Sequence, residues 1–61
     1  MEHYLSAGDM VELTWFNQSY LGLVVSEHPA LPEHFNIFIM ENGEDVMRLQ
    51  CEVKVIAYAG R

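Results

Sequence analysis

The dipeptide Asn42-Gly43 constrains this chain more than any other feature, because it joins two strand-like runs in the stretch FNIFIMENGEDVMRL, residues 35–49. Asparagine and glycine tolerate the positive φ angles of a type I′ turn, whose twist matches that of flanking antiparallel strands. The sequence therefore predicts a β-hairpin with a type I′ turn. In a chain of 61 residues, such a hairpin favours a small antiparallel β domain and excludes most enzyme architectures.

The length and the cysteine content predict one small domain, residues 1–61, near the lower size limit for independent folding. Apolar residues make up 51% of the chain, which is more than a tiny barrel can hide, so we expect an apolar surface patch. The single cysteine, Cys51, cannot form an intramolecular disulfide, which favours a reducing compartment. No signal-peptide pattern and no apolar run of about 20 residues is visible, so we expect a cytoplasmic protein away from membranes.

The charge balance favours a protein partner over a nucleic acid. Nine acidic residues against three basic ones give a formal charge of −6. Binding to phosphates depends on Lys and Arg, and only Arg48, Lys54 and Arg61 are present. A basic protein suits this surface better, because opposite charges speed encounter and repel wrong partners.

Short apolar runs predict five strands and little helix. Alternating apolar and polar residues and β-branched content place the strands at residues 10–15, 20–28, 35–40, 44–49 and 53–57. The remaining segments are predicted to be an arm at residues 1–8, loops at 16–19 and 29–34, a helical turn at 50–52 and a tail at 58–61. Gly22 predicts a bulge or a tight bend in the second strand, and the third strand is apolar on both faces, which places it centrally or beneath a partner.

Four short motifs resemble those of small SH3-like barrels: GDMV at residues 8–11, GLVV at 22–25, FNIFI with the following NG at 35–43, and EVKVI at 52–56. In this respect residues 8–57 resemble the small SH3-like proteins of tailed bacteriophages and, more distantly, Tudor and KOW domains. The resemblance implies a five-stranded antiparallel SH3-like barrel, encoded by a phage, that acts as an interaction module. Many unrelated functions use this barrel.

Four aromatic residues are candidates for a binding site at one end of the barrel, namely Trp15, Phe16, Tyr20 and Phe35. Together they could form a groove for a peptide or, as in Tudor domains, a cage for a methylated ammonium group. Alternatively, Trp15 and Phe35 fill the core, since a small barrel needs large side chains. Phe16 stands in a polar segment and is the one expected to be exposed.

The predicted hairpin offers two further candidate surfaces. Phe38, Met40 and Met47 either fill the core or form an apolar strand face that another chain covers, since methionine adapts its shape to binding partners. Glu41, Glu44 and Asp45 either form a solvated turn or an acidic patch that docks a basic partner.

No arrangement of residues predicts catalysis, a metal site or a cofactor. His3, His28, His34 and Cys51 are the possible metal ligands, but four ligands at structural spacing are missing. The histidines are therefore expected to be solvent-exposed loop residues, and Cys51 a small buried side chain. Carboxylates at a hairpin tip lack the desolvation that acid–base catalysis requires, and there is no phosphate loop and no serine–histidine–acid set.

These observations favour a non-catalytic protein-interaction module that binds through the apolar strand face or the barrel-end aromatics. Two alternatives remain open. One is a structural homo-oligomer or minor virion component whose apolar surface is buried by copies of itself. The other is an acidic nucleic-acid mimic that inhibits a host protein, which requires the carboxylates to cluster on one side.

Overall fold

The computed structural model describes residues 4–60, and their fold is all-β. The elements are β1 (Met10–Trp15), β2 (Gln18–Glu27), β3 (His34–Ile39), β4 (Asp45–Leu49), a 3-10 turn (Gln50–Glu52) and β5 (Lys54–Ala57). The predictions of five strands and of a helical turn before the last one are confirmed, with β1 at its predicted residues and the other strand boundaries within two residues of the predicted ones. His3 and Arg61 lie outside the described residues.

The strands form a single antiparallel sheet in the order β4-β3-β2-β1-β5. Within residues 4–60 the two edge strands, β4 and β5, do not pair with each other, so the sheet is open. Side chains nevertheless connect the two halves of the sheet. The Arg48 guanidinium of β4 donates a hydrogen bond of 3.2 Å to the carbonyl oxygen of Thr14 in β1.

The first hairpin has the tightest turn of the fold. Trp15 pairs with Gln18, so only Phe16 and Asn17 connect β1 to β2. Their φ angles are 51° and 62°, and positive φ at both central residues defines a type I′ turn. The predicted loop at residues 16–19 is therefore shorter than expected, since Gln18 and Ser19 already belong to β2.

The second hairpin is present, but its type I′ turn was wrongly predicted. Gly43 has a φ of 75°, as expected, whereas Asn42 is not among the residues with positive φ. The Asn42 side chain instead accepts a hydrogen bond of 3.0 Å from the Glu44 N–H. The Gly43 N–H donates to the Ile39 carbonyl (2.9 Å), and the Ile39 N–H donates to the Glu44 carbonyl (2.8 Å). Residues 40–43 thus form a longer turn with glycine in its left-handed position.

Gly22 is explained by close packing, not by a bulge. It pairs in register with Val11 and Ile39, and the irregularity in β2 lies three residues later, at Val25. A Cβ atom at position 22 would lie 2.5 Å from Cγ2 of Ile37, which is closer than van der Waals contact allows. Only glycine leaves room at this position for the Ile37 side chain of β3 to pack against the β2 backbone.

The core lies on one face of the sheet and follows the alternation in the sequence. Its fully buried members are Leu5, Val11, Leu13, Val24, Phe35, Ile37 and Ile39. Five half-buried residues extend this cluster, namely Trp15, Tyr20, Val46, Val53 and Val55. Leu5 shows that the described part of the predicted N-terminal arm, residues 4–8, packs onto the sheet.

Asp9 ties both ends of the described chain to the sheet. Its side chain is fully buried. One carboxylate oxygen accepts the Ser6 N–H at 2.9 Å and the other accepts the Ala59 N–H at 2.8 Å. A buried carboxylate is tolerated only when it is hydrogen-bonded in this way. The tail predicted at residues 58–61 is thus held, at Ala59, against the start of β1.

Candidate functional site

The face of the sheet opposite the core carries a continuous apolar surface. Leu23 of β2 pairs with Phe38 of β3, and the N–H of Met40 donates to the Leu21 carbonyl at 3.2 Å. Met47 of β4 is a diagonal neighbour of Phe38, because Phe38 pairs with Asp45. We call these five residues the outer apolar face: Leu21, Leu23, Phe38, Met40 and Met47.

Four of the five side chains of the outer apolar face are solvent-exposed, and Leu23 is half-buried. Leu21 is 45% exposed, Phe38 37%, Met40 38% and Met47 41%. Large apolar side chains that are contiguous and exposed mark interaction sites more often than scattered ones do. Phe38, Met40 and Met47 were singled out from the sequence, and the structure brings them together. Leu21 and Leu23 were missed, although they alternate with the core residues Gly22 and Val24 in the same strand.

A groove of about 380 Å³ runs along the edge of this face. Its lining consists of Glu12, Ser19, Tyr20, Leu21, Met40 and Glu41. The Ser19 hydroxyl donates a 2.6 Å hydrogen bond to the Glu12 carboxylate and so fixes one acidic wall. The groove thus combines an apolar lining from Leu21 and Met40 with the carboxylates of Glu12 and Glu41. Such a lining complements an apolar segment that carries a positive charge.

The predicted acidic patch lies beside the outer apolar face. Glu41, Glu44 and Asp45 are all exposed on the β3–β4 hairpin, directly after Met40. Glu27 and Glu33 lie at the opposite end of β3, about 20 Å away at the usual rise per strand residue. These five carboxylates therefore lie at both ends of β3.

The aromatic residues at the tip of the first hairpin form a packed row. The Trp15 ring meets Phe16 edge-on at a centroid distance of 4.7 Å and meets Tyr20 at 5.8 Å. Phe35, which was predicted as a possible fourth member, lies in the core with 1% of its surface exposed. Its ring packs edge-on against Tyr4 at 5.4 Å. Phe35 therefore does not line an exposed groove.

Tyr4 and Glu27 connect the N-terminal arm to the end of β2. The Tyr4 hydroxyl donates a hydrogen bond to a Glu27 carboxylate oxygen. This hydrogen bond, with smaller contributions from desolvation and from the charges of Glu27 and Glu33, raises the pKa of Tyr4 above its ordinary value of 10.0. The contact fastens the arm and does not form a reactive site.

The candidate metal ligands are engaged in other contacts or lie apart. His28 is half-buried, and its Nδ1 accepts the N–H groups of Ala30 (3.1 Å) and Leu31 (3.2 Å). His34 is also half-buried and belongs to β3, so neither histidine is the exposed loop residue that was expected. Cys51 was expected to be buried, but the 3-10 turn directs it outward and leaves it exposed as a free thiol. Among residues 4–60, no group of three or more His, Cys, Asp or Glu side chains is placed to hold a metal ion.

The described part of the chain contains no helix with the length and apolar character needed to cross a bilayer. Comparison with known proteins finds no matching family, no matching curated protein and no matching solved structure.

Proposed function

We propose that the chain is a non-catalytic, SH3-like interaction module that binds a protein partner through the outer apolar face. The observation that carries this proposal is the exposure of Leu21, Phe38, Met40 and Met47 side by side on adjacent strands. Burying this surface against a partner would be favourable by roughly 25 cal/mol per Å² of apolar area. The partner segment is apolar and basic, because Glu12 and Glu41 flank the groove beside this face.

Two features support the SH3-like part of the proposal. The strand order β4-β3-β2-β1-β5 places the first and last strands side by side, as the connectivity of such a barrel requires. The hydrogen bond from Arg48 to Thr14 links β4 to the far end of β1, across the opening between the two edge strands. The sequence motifs that resemble phage SH3-like proteins, together with the exposed thiol of Cys51, suit a phage-encoded protein that acts in a reducing host cytoplasm.

A selection from a library of random displayed peptides tests the proposed function. We expect the selected peptides to be rich in apolar residues and in Lys or Arg. Phe38→Ser should weaken their binding at least tenfold, since it removes the centre of the outer apolar face. Ile56→Ser is the matched control, because Ile56 is 48% exposed but lies on the edge strand β5, which β1 and β2 separate from β3. Peptides that bind the Phe38 variant as tightly as the parent would contradict the proposal.

A structural homo-oligomer is the second candidate, because a copy of the chain could cover the same apolar face. The formal charge of −6 opposes it, since like-charged copies repel each other. Light scattering at micromolar concentration separates the two candidates. A monomer agrees with the interaction module, whereas a defined dimer or ring supports the structural subunit or virion component. The nucleic-acid mimic is favoured by no particular observation, since the exposed carboxylates lie at both ends of β3.

A further inference from the structure

Phe16 occupies a backbone position that is unfavourable for a large side chain. It is the first central residue of the type I′ turn, with a φ of 51°. Asparagine, aspartate and glycine dominate this position, because a side chain with a bulky Cβ substituent crowds the backbone in the left-handed region. Asn17, the second central residue, follows this rule, and Phe16 does not.

Packing within the described chain leaves most of the Phe16 ring uncovered. Phe16 is 79% exposed, the highest exposure among the large apolar residues of the described chain. Its ring contact is an edge-on one with Trp15, which in turn rests against Tyr20. The Phe16 ring therefore lies on a short turn, where most of its surface contacts solvent. Strain and exposure combined in this way point to a function outside the folded chain.

We infer that Phe16 is an anchor that enters an apolar pocket on a basic protein partner. Aromatic side chains that fill a pocket supply a large part of the binding energy at protein interfaces. A short type I′ turn pre-organises the ring, so little conformational entropy is lost on binding. The formal charge of −6 disfavours a nucleic acid, an anionic lipid surface or a second copy as the pocket's owner, and favours a basic protein.

This anchor goes beyond the proposed function, because it lies on another part of the surface. Leu21, the nearest strand residue of the outer apolar face, follows the turn partner Gln18 by three positions. At the usual rise per strand residue, the two sites lie about 10 Å apart along the sheet. Each can therefore be removed without removing the other.

The first test asks whether the fold needs Phe16. In Phe16→Asn the turn carries a residue that tolerates positive φ, so we expect a melting temperature equal to or above that of the parent. Phe16→Leu is the comparison, because it keeps an apolar side chain and the strain but loses the ring. A fall of more than about 4 °C in Phe16→Asn would mean that the ring is retained for packing on Trp15, and would overturn the inference.

The second test offers the ring a pocket of known chemistry. β-Cyclodextrin has an apolar cavity that accepts a phenyl group, and it can carry amino or sulfate groups on its rim. Fluorescence of Trp15, the chain's single tryptophan, reports binding because its ring adjoins Phe16. We expect the amino form to bind at least fivefold more tightly than the sulfated form, and Phe16→Asn to weaken binding of the amino form at least fivefold.

Each other result contradicts part or all of the inference. Equal binding of the amino form by the parent and by Phe16→Asn would show that Phe16 is not an anchor. If the parent bound the sulfated form as tightly as the amino form, the inference that the partner is basic would be wrong. Binding of the parent, but not of Phe16→Asn, to phosphatidylglycerol vesicles would assign the ring to a lipid surface. Dimerisation that is lost in Phe16→Asn would place the pocket on a second copy. Ile56→Ser serves as the control throughout, since Ile56 is an exposed apolar residue of β5 that belongs to neither proposed site, and its loss should leave cyclodextrin binding unchanged.

Discussion

Arg48 on β4 and Thr14 on β1 are joined by a hydrogen bond, although their strands are separated by two others in the sheet. The guanidinium also donates to its neighbouring carbonyl, that of Met47, at 2.9 Å. The sheet must therefore curl, so that the end of β1 next to the β1–β2 turn lies close to β4. Since no backbone pairing joins β4 to β5 within residues 4–60, side-chain contacts of this kind hold the open side together.

Removing the Arg48 donors should destabilise the curled sheet. We expect Arg48→Met, which keeps the length of the side chain, to lower the free energy of unfolding by about 1 kcal/mol. For a domain of this size, this corresponds to a fall of about 4–8 °C in melting temperature, measured by circular dichroism. Lys54→Met is the matched control, because it removes a positive charge from the opposite edge strand, β5. If both variants melt alike, the contact to Thr14 contributes nothing.

Asp9 should be the least replaceable polar residue. Asp9→Ala leaves the N–H groups of Ser6 and Ala59 without their carboxylate acceptor, at about 1–3 kcal/mol for each unsatisfied group. A domain this small has only about 3–5 kcal/mol of stability, so most of the variant should be unfolded at 25 °C. Asp9→Asn keeps one acceptor, so its midpoint of urea denaturation should lie between those of Asp9→Ala and the parent. A parent-like midpoint for Asp9→Ala would contradict the role of Asp9 as the link between the two chain ends.

Much of the fold could be predicted because local patterns and tertiary packing agree. Val11 and Leu13 alternate with polar residues, and the structure buries both, which is the simplest consequence of a strand with one face on a core. Gly43 was correctly expected to have positive φ. The turn type was missed because the Asn42 side chain forms a local hydrogen bond that a dipeptide signal does not reveal.

The candidate sites were harder to predict than the strands. Phe35 and Phe38 belong to the same strand and have the same chemistry, yet one is 1% exposed and the other 37%. Which face becomes the core depends on how the whole sheet curls. The turn at Phe16 escaped prediction for a different reason, since phenylalanine is among the residues least expected at positive φ.

Gly43 tests the second hairpin directly. A Cβ atom at this position would meet no atom beyond its two neighbouring residues within 4 Å, so the cost of substitution comes from its φ of 75°. We expect Gly43→Val to cost about 1 kcal/mol or more, which lowers the melting temperature by several degrees. Gly43→Asn should cost less, because asparagine tolerates the left-handed region. Equal melting of the parent and the valine variant would contradict the assigned turn.

Titration of Tyr4 should reveal its hydrogen bond to Glu27. The pKa of the Tyr4 hydroxyl in the folded protein lies above its ordinary value of 10.0, chiefly because of this bond. The stabilising contribution of a group with a raised pKa is complete below the unfolded pKa and is lost as the pH rises through the folded one. We therefore expect Tyr4 of the parent to ionise late in absorbance at 295 nm, and the stability that this bond contributes to be lost only above about pH 10. Glu27→Ala, which removes both the acceptor and its charge, should make Tyr4 ionise earlier than in the parent, and an unchanged late phase in that variant would exclude Glu27 as the cause.

Amide chemical-shift mapping with a selected apolar and basic peptide tests most directly whether the outer apolar face binds a partner. We expect the largest shift changes on β2, β3 and β4, around Leu21, Phe38, Met40 and Met47, with Glu12 and Glu41 at the rim. The same titration with a peptide whose basic residues are replaced by Glu should bind at least tenfold more weakly. Shift changes confined to the 3-10 turn and β5, or spread evenly over the chain, would contradict the account.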